Sequence, residues 1–240
     1  DRTRSATLNN LAALEHDQAR FQTAEELFLE AYDLCVSRQH ILGAATAQMN
    51  LGTINLERGD LEQARHFYHE AIQTFQSNKD QAYEMMVMTL LGLVDLDEGA
   101  YSAAKKALSK SLKSATDSGD MMVQIMSECW HGVAHWLDNE DEAAFVRLRA
   151  SASIMREQNN PKMLAFVHGY YGSMLEVRGR IPEAREKFRL ARYLMRQTNN
   201  RNHLDALKIM VGLAAAALAE QAHQAGDEKA YARHLAIALQ

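Results

Sequence analysis

His131 and His135 stand four residues apart, the spacing at which two imidazoles on one helix can ligate a metal. The residues between them are Gly132, Val133 and Ala134, so the Glu that a zinc hydrolase uses as general base is missing, and no third ligand is indicated by spacing. The run HFYHE over residues 66–70 has its Glu and second His in the wrong order for the inverted zinc motif. Cys35 and Cys129 match no metal or redox spacing. There is no phosphate-binding glycine loop, dinucleotide fingerprint or nucleophile elbow. The chemistry read from these residues is therefore none: no catalytic group, no metal and no cofactor is expected, and the protein is expected to bind rather than catalyse.

The elements that would position a binding surface are clearer. From Met49 to Ile72 the chain reads as one helical hairpin. Leu51, Gly52, Ile54 and Leu56 mark one side of a first helix, and Leu61, Ala64, Phe67, Tyr68 and Ala71 recur at three- and four-residue spacing along a second. Gly59 and Asp60 lie between them as a stop and a cap. Neither helix carries enough apolar surface to fold alone, so the hairpin implies neighbours.

Sliding Gly52 along the chain in steps of 40 lands on Ala12, Gly92, Gly132, Gly172 and Gly212. Ala24, Ala64, Ala104, Ala144 and Ala184 keep the same step, as do Phe28, Tyr68, Leu108, Leu148 and Phe188. After these come Ala31, Ala71, Ser111, Ser151 and Ala191. Small residues allow close helix approach and the large one fills the gap between helices. The pattern predicts helix pairs at 4–18 with 21–38, 40–58 with 61–78, 80–98 with 101–117, 120–138 with 141–157, 160–178 with 181–198, and 200–225 with 227–239.

This series resembles the tetratricopeptide repeat family, whose mark is a small-residue and aromatic pattern over two antiparallel helices. The usual unit there has about 34 residues. The longer unit here is similar to the repeats of kinesin light chains, LGN-type polarity adaptors, Rap-type peptide sensors and the sensor arm of maltose-activator-like bacterial regulators. The resemblance implies an all-α, right-handed superhelical solenoid of about six antiparallel helix pairs. It would run as a single array over 1–240, with repeats at 1–39, 40–79, 80–119, 120–159, 160–199 and 200–240.

In such stacks the first helix of each pair lines a concave groove. The candidate partner-binding residues on it are Asn10, Asn50, Thr53, Glu57, Leu90, Asp97, Trp130, Val133, Trp136, Phe166, Tyr170 and Ser173. In kinesin-light-chain-like and LGN-like relatives an Asn at the first groove position binds the main chain of an extended peptide, and Asn10 and Asn50 match it. An amide offers one donor and one acceptor face to a peptide unit without reading its sequence. The match lapses at Leu90, Trp130, Tyr170 and Met210, where the groove turns apolar and aromatic. The carboxylate clamp of chaperone co-factors is matched only at Asn50; its basic residues are replaced by Asn9, Met86 and Leu90, so chaperone tails are not expected as partners.

Composition bounds the rest. The chain has 240 residues, 47% of them hydrophobic, two prolines and two cysteines, which suits a helix-rich protein of a reducing cytoplasm. A net charge of −5 gives no general attraction to nucleic acid or to an anionic membrane, and no apolar run reaches a membrane span. An arginine-rich run from Arg178 to Arg201 reads as a solvated face or a patch for an acidic partner. The chain opens at Asp1 without Met and is expected to be part of something larger. Its end, LAIALQ, lacks a polar capping helix, which fits truncation or self-association of the C-terminal repeat as a homodimer. The expected function is a non-catalytic scaffold for a peptide or protein segment, the sensor or adaptor arm of a regulatory protein. The alternatives are an assembly module and a small-molecule sensor.

Overall fold

The structure, a computed structural model, describes residues 2–18 and 20–197, with residues 223, 226–229 and 232. Ten α-helices occupy the described residues: α1 (Arg2–Asp17), α2 (Phe21–Ser37), α3 (Ile41–Glu57), α4 (Leu61–Ser77) and α5 (Gln81–Asp97), followed by α6 (Tyr101–Ser118), α7 (Met121–Leu137), α8 (Asp141–Glu157), α9 (Pro161–Val177) and α10 (Ile181–Gln197). Every one begins and ends within a few residues of its predicted bounds. The fold is an all-α repeat solenoid. The sixth predicted pair, with LAIALQ and Gly212, lies outside the described residues apart from its joint, where Gly226 has φ +72°.

Contacts group the chain into two compact units, residues 1–139 and 140–240. In the first, each helix packs on the next, and the odd-numbered helices α1, α3, α5 and α7 also pack side by side. In the second, α9 packs against both α8 and α10.

The helices from α2 to α9 stop where they do because the joint after each places one residue in the left-handed region, at 20-residue intervals. Gln39, Gly59, Lys79, Gly99, Gly119, Asn139, Asn159 and Gly179 all have positive φ. Around them the chain closes a recurring bond from the residue after the turn to a carbonyl five residues back, as in Asp60 N–H to Asn55 O at 2.9 Å and Asp80 N–H to Phe75 O at 2.9 Å. Asp60, Asp80, Asp120 and Asn160 then cap the following helix, accepting from the backbone N–H of Gln63, Tyr83, Val123 and Met163 at 3.0–3.3 Å. Pro161 stands in the first turn of α9, where its missing N–H costs nothing.

Gln39 and Lys79, both at φ 58°, hold a conformation that costs a side-chain-bearing residue about 1–2 kcal/mol. Lys79→Gly is therefore expected to raise stability by about 0.5–1 kcal/mol once the extra entropy of an unfolded glycine is subtracted. Chemical denaturation reads this directly, and a variant less stable than wild type would show that the lysine is not strained.

The core follows the 40-residue register. Ala24, Ala64, Ala104, Ala144 and Ala184 are at most 1% exposed, and Tyr68, Leu108 and Leu148 are fully buried. A Cβ added to Gly52 would meet Tyr68 ring carbons at 2.7 and 2.8 Å, one on Gly92 would meet Leu108 Cγ at 2.8 Å, and one on Gly172 would meet the Phe188 ring at 2.7 Å. The small residue of the first helix thus receives the large residue of the second, 16 positions later. Between the third pair and α7 the core turns polar: the Thr89, Ser111 and Ser127 hydroxyls, all fully buried, lie 2.8–3.1 Å from one another, and Thr89 and Ser111 also donate to Met85 O. Every buried hydroxyl of that cluster is satisfied, as burial requires.

Candidate binding groove

The residues predicted for partner binding fall into three groups once burial is known. Asn10 is exposed and Asn50 half-buried, and neither side chain makes a hydrogen bond among the described residues. Other amides of the same unit are committed: Asn55 Nδ2 donates to Leu51 O and Asn78 Nδ2 to Thr74 O, each at 2.8 Å. Glu57 and Asp97 are exposed at the C-terminal ends of α3 and α5. Glu57 Oε2 is 2.9 Å from His16 Nε2, a contact that joins α1 to α3. Desolvation holds the Asp97 carboxyl above its ordinary range although the residue as a whole is exposed.

A second group is corrected by the structure. Leu90, Val133 and Ser173 are only 8%, 4% and 3% exposed, so their side chains fill the stack and offer little to a partner. Leu90 belongs to the main apolar cluster of the first unit. Thr53 is half-buried and committed inward: its hydroxyl donates to Met49 O at 3.2 Å and accepts from Tyr68 OH at 3.2 Å. Burial pushes the Tyr68 phenol well up, against that hydrogen bond and with the charge of Glu57, so it stays a neutral donor.

The third group is aromatic. Trp130 and Trp136 are half-buried on α7 in the first unit, and Phe166 and Tyr170 are half-buried on α9 in the second. Phe166 packs against the cluster of Ala165, Ala191 and Met195 and is largely a core residue. On α7, His131 is buried and its ring stacks on His135 at 4.7 Å between centroids. Among the described residues no group of three or more His, Cys, Asp or Glu is placed to hold a metal ion.

The first unit carries a groove of ≈ 600 Å³ between α1 and the N-terminal ends of α3 and α5, lined by Asn9 and Asn10 of α1, Ile41, Leu42 and Thr46 of α3, and Tyr83 of α5. Ile41, Leu42 and Tyr83 are 60%, 41% and 37% exposed. Asn9 Oδ1 is buried there without a hydrogen-bond partner, an acceptor lacking its donor. Sequence reading reached Asn10 but missed Asn9, Ile41, Leu42 and Tyr83. The available signal was a large apolar pair directly after the polar joint at Gln39 and His40, where a helix start is usually polar.

A family model of the tetratricopeptide repeat matches residues 3–77 and, one repeat later, residues 43–117. Over residues 3–117 the chain matches the tetratricopeptide repeat family. Solved structures extend the likeness over the rest of it. A Rap protein complexed with competence and sporulation factor superposes with a TM-score of 0.80 at 11% identity, over 98% of this chain and 74% of that one. Aspartyl phosphate phosphatase F from Bacillus subtilis gives 0.74 at 12% identity, over 98% and 69%. A putative kinesin light chain from Podosopora anserina gives 0.58 at 13% identity, over 82% and 98%. At these identities the likeness is one of fold. No curated protein matches the sequence. No helix among the described residues is long and apolar enough to cross a membrane.

Proposed function

We propose that this protein is a non-catalytic interaction scaffold, and that the groove across α1, α3 and α5 holds an extended peptide segment of a partner. One observation carries the reading: Asn10 and Asn50 have uncommitted amides, and beside Asn10 the groove holds the unpartnered Asn9 Oδ1 and the exposed apolar surface of Ile41, Leu42 and Tyr83. Amides serve the main chain of a bound peptide, while the apolar residues take its side chains. The Rap protein solved with competence and sporulation factor supports a role as the sensor or adaptor arm of a regulatory protein. Phosphatase activity in the name of another neighbour belongs to that protein, because this sequence carries no constellation of catalytic residues.

The test is a peptide-display selection against the wild-type chain, followed by titration of the selected peptides against an Asn10→Ala/Asn50→Ala variant. Each lost amide bond is worth about 0.5–1.5 kcal/mol, so the double variant is expected to bind roughly 5–150-fold more weakly with unchanged thermal stability. Selected peptides that bind both proteins equally would overturn the groove reading.

A further inference from the structure

The outer faces of the second helices change in a regular way along the register. One pair of equivalent positions, seven residues apart, reads Leu29 and Val36 on α2, His69 and Gln76 on α4, Ser109 and Thr116 on α6, then Arg149 and Arg156 on α8 and Arg189 and Arg196 on α10. These four arginines are all exposed, and α8 and α10 lie in the same unit. Their buried faces also correspond, Ala144 and Ser151 on α8 matching Ala184 and Ala191 on α10.

Two other arginines of the unit are neutralised. Arg178 forks onto Asp141 at 2.5 and 2.7 Å, and Arg180 onto Glu183 at 2.6 and 2.7 Å. By contrast, Arg156, Arg189 and Arg196 meet no carboxylate among the described residues, and Arg149 Nε donates to the backbone oxygen of Phe145 at 3.1 Å. No acidic residue occurs over 143–156 or 187–197. Each arginine pair is accompanied by a large exposed apolar side chain, Val146 at 58% and Tyr193 at 60%.

We propose that the arginine faces of α8 and α10 form a docking surface for an acidic, helix-forming segment of a protein partner. Seven residues of helix span about 10.5 Å and return to nearly the same face, so carboxylates two turns apart on a partner helix meet the two guanidinium groups of one helix. Arginine suits this role because its planar fork binds a carboxylate through two parallel hydrogen bonds. Val146 and Tyr193 call for apolar residues between the acids, which a protein helix supplies and a phosphate backbone does not. The chain's net charge of −5 likewise offers a nucleic acid no general attraction.

The test is fluorescence anisotropy with two labelled peptides of identical composition, one carrying Glu at seven-residue spacing with Leu on the same face, the other scrambled. The ordered peptide is expected to bind at least about tenfold more tightly than the scrambled one, and more weakly as salt rises. Arg189→Glu/Arg196→Glu should weaken it by at least about tenfold, and Arg149→Glu should weaken it independently. Should charge reversal disturb folding, as read by circular dichroism, Arg189→Gln/Arg196→Gln is expected to weaken binding in the same direction. Equal binding of the two peptides, unchanged binding by the variants, or preferential binding of single-stranded RNA or phosphatidylserine vesicles would overturn the proposal. Because these arginines are not among the groove residues, Asn10→Ala/Asn50→Ala should leave this interaction intact, which separates failure of one reading from failure of the other.

Discussion

Gly52→Val is expected to destabilise the first unit by about 3 kcal/mol, the usual upper range for overpacking a core. The added Cβ would lie 2.7–3.1 Å from three carbons of the Tyr68 ring. That ring is 0% exposed and its hydroxyl is tied to Thr53. It has no space to retreat into, and valine's branching adds a second methyl against the same wall. For a chain of this size the loss corresponds to a fall in Tm of roughly 6–12 °C. The first pair shows what a smaller insult requires. Ala12 occupies the register position of Gly52 and shares a buried cluster with Phe28, but Leu11 and Leu14 on the same helix are 43% and 53% exposed. Their counterparts Leu51 and Ile54 are 2% and 0% exposed, so α1 is free on a side where α3 is enclosed. A double-mutant cycle with Tyr68→Ala should show strong coupling, since removing the ring opens the space the valine needs. A Tm for Gly52→Val within 2 °C or so of wild type would mean that the small–large contact is not what sets the distance between the helices.

His168→Met is expected to stabilise the second unit and flatten its response to acid. His168 is 4% exposed and both its ring nitrogens are buried without hydrogen-bond partners. Burial, reinforced by the charges of Lys187 and Arg156, lowers its pKa to about 4. Between the unfolded value near 6.5 and this folded value, the unfolded chain binds a proton that the folded chain refuses. Stability therefore falls as pH drops through that window, at up to about 1.4 kcal/mol per pH unit for this group. Methionine already stands at one equivalent place of the register: Met88 on α5 is 7% exposed within an apolar cluster. Removing the unsatisfied nitrogens should add about 1–3 kcal/mol near neutral pH, with the advantage widening as acid is added. Urea melts of both proteins at pH 7.0, 5.5 and 4.5 measure this. Parallel stability curves would show that the imidazole finds a proton partner after all.

These two positions also show how far the sequence could be read. Helices and their pairing were legible because one small residue and one large residue kept a fixed distance through every described pair. A contact such as Gly52 with Tyr68 is local enough in sequence to leave a periodic trace. The left-handed turns at Gly59 and Gly99 were legible for the same reason. Those at Gln39 and Lys79 were not, because neither residue type signals positive φ and only the closing backbone bonds hold it there. The groove was legible only in part. A helical stripe locates one face of one helix, and so it found Asn10 and Asn50. It cannot see the adjacent helices that bury Leu90, Val133 and Ser173, nor the Tyr68 hydroxyl that engages Thr53. The buried state of His168 was likewise invisible, since a histidine gives no hint whether its register position faces core or solvent.

The recurring left-handed turn has a consequence for how such a chain can change length. From Gln39 to Gly179 the joints share one left-handed turn and set the next helix off 20 residues after the last. A single inserted residue within a helix would rotate everything beyond it by about 100°, carrying buried positions to the surface until the next joint. Removal of one whole 40-residue period, from the turn at Gly59 to the turn at Gly99, would instead join two identical backbone geometries and return Gly, Ala and the large residue to phase. The turns thus act as reading marks, and an array of this kind can lose or gain whole words far more readily than single letters.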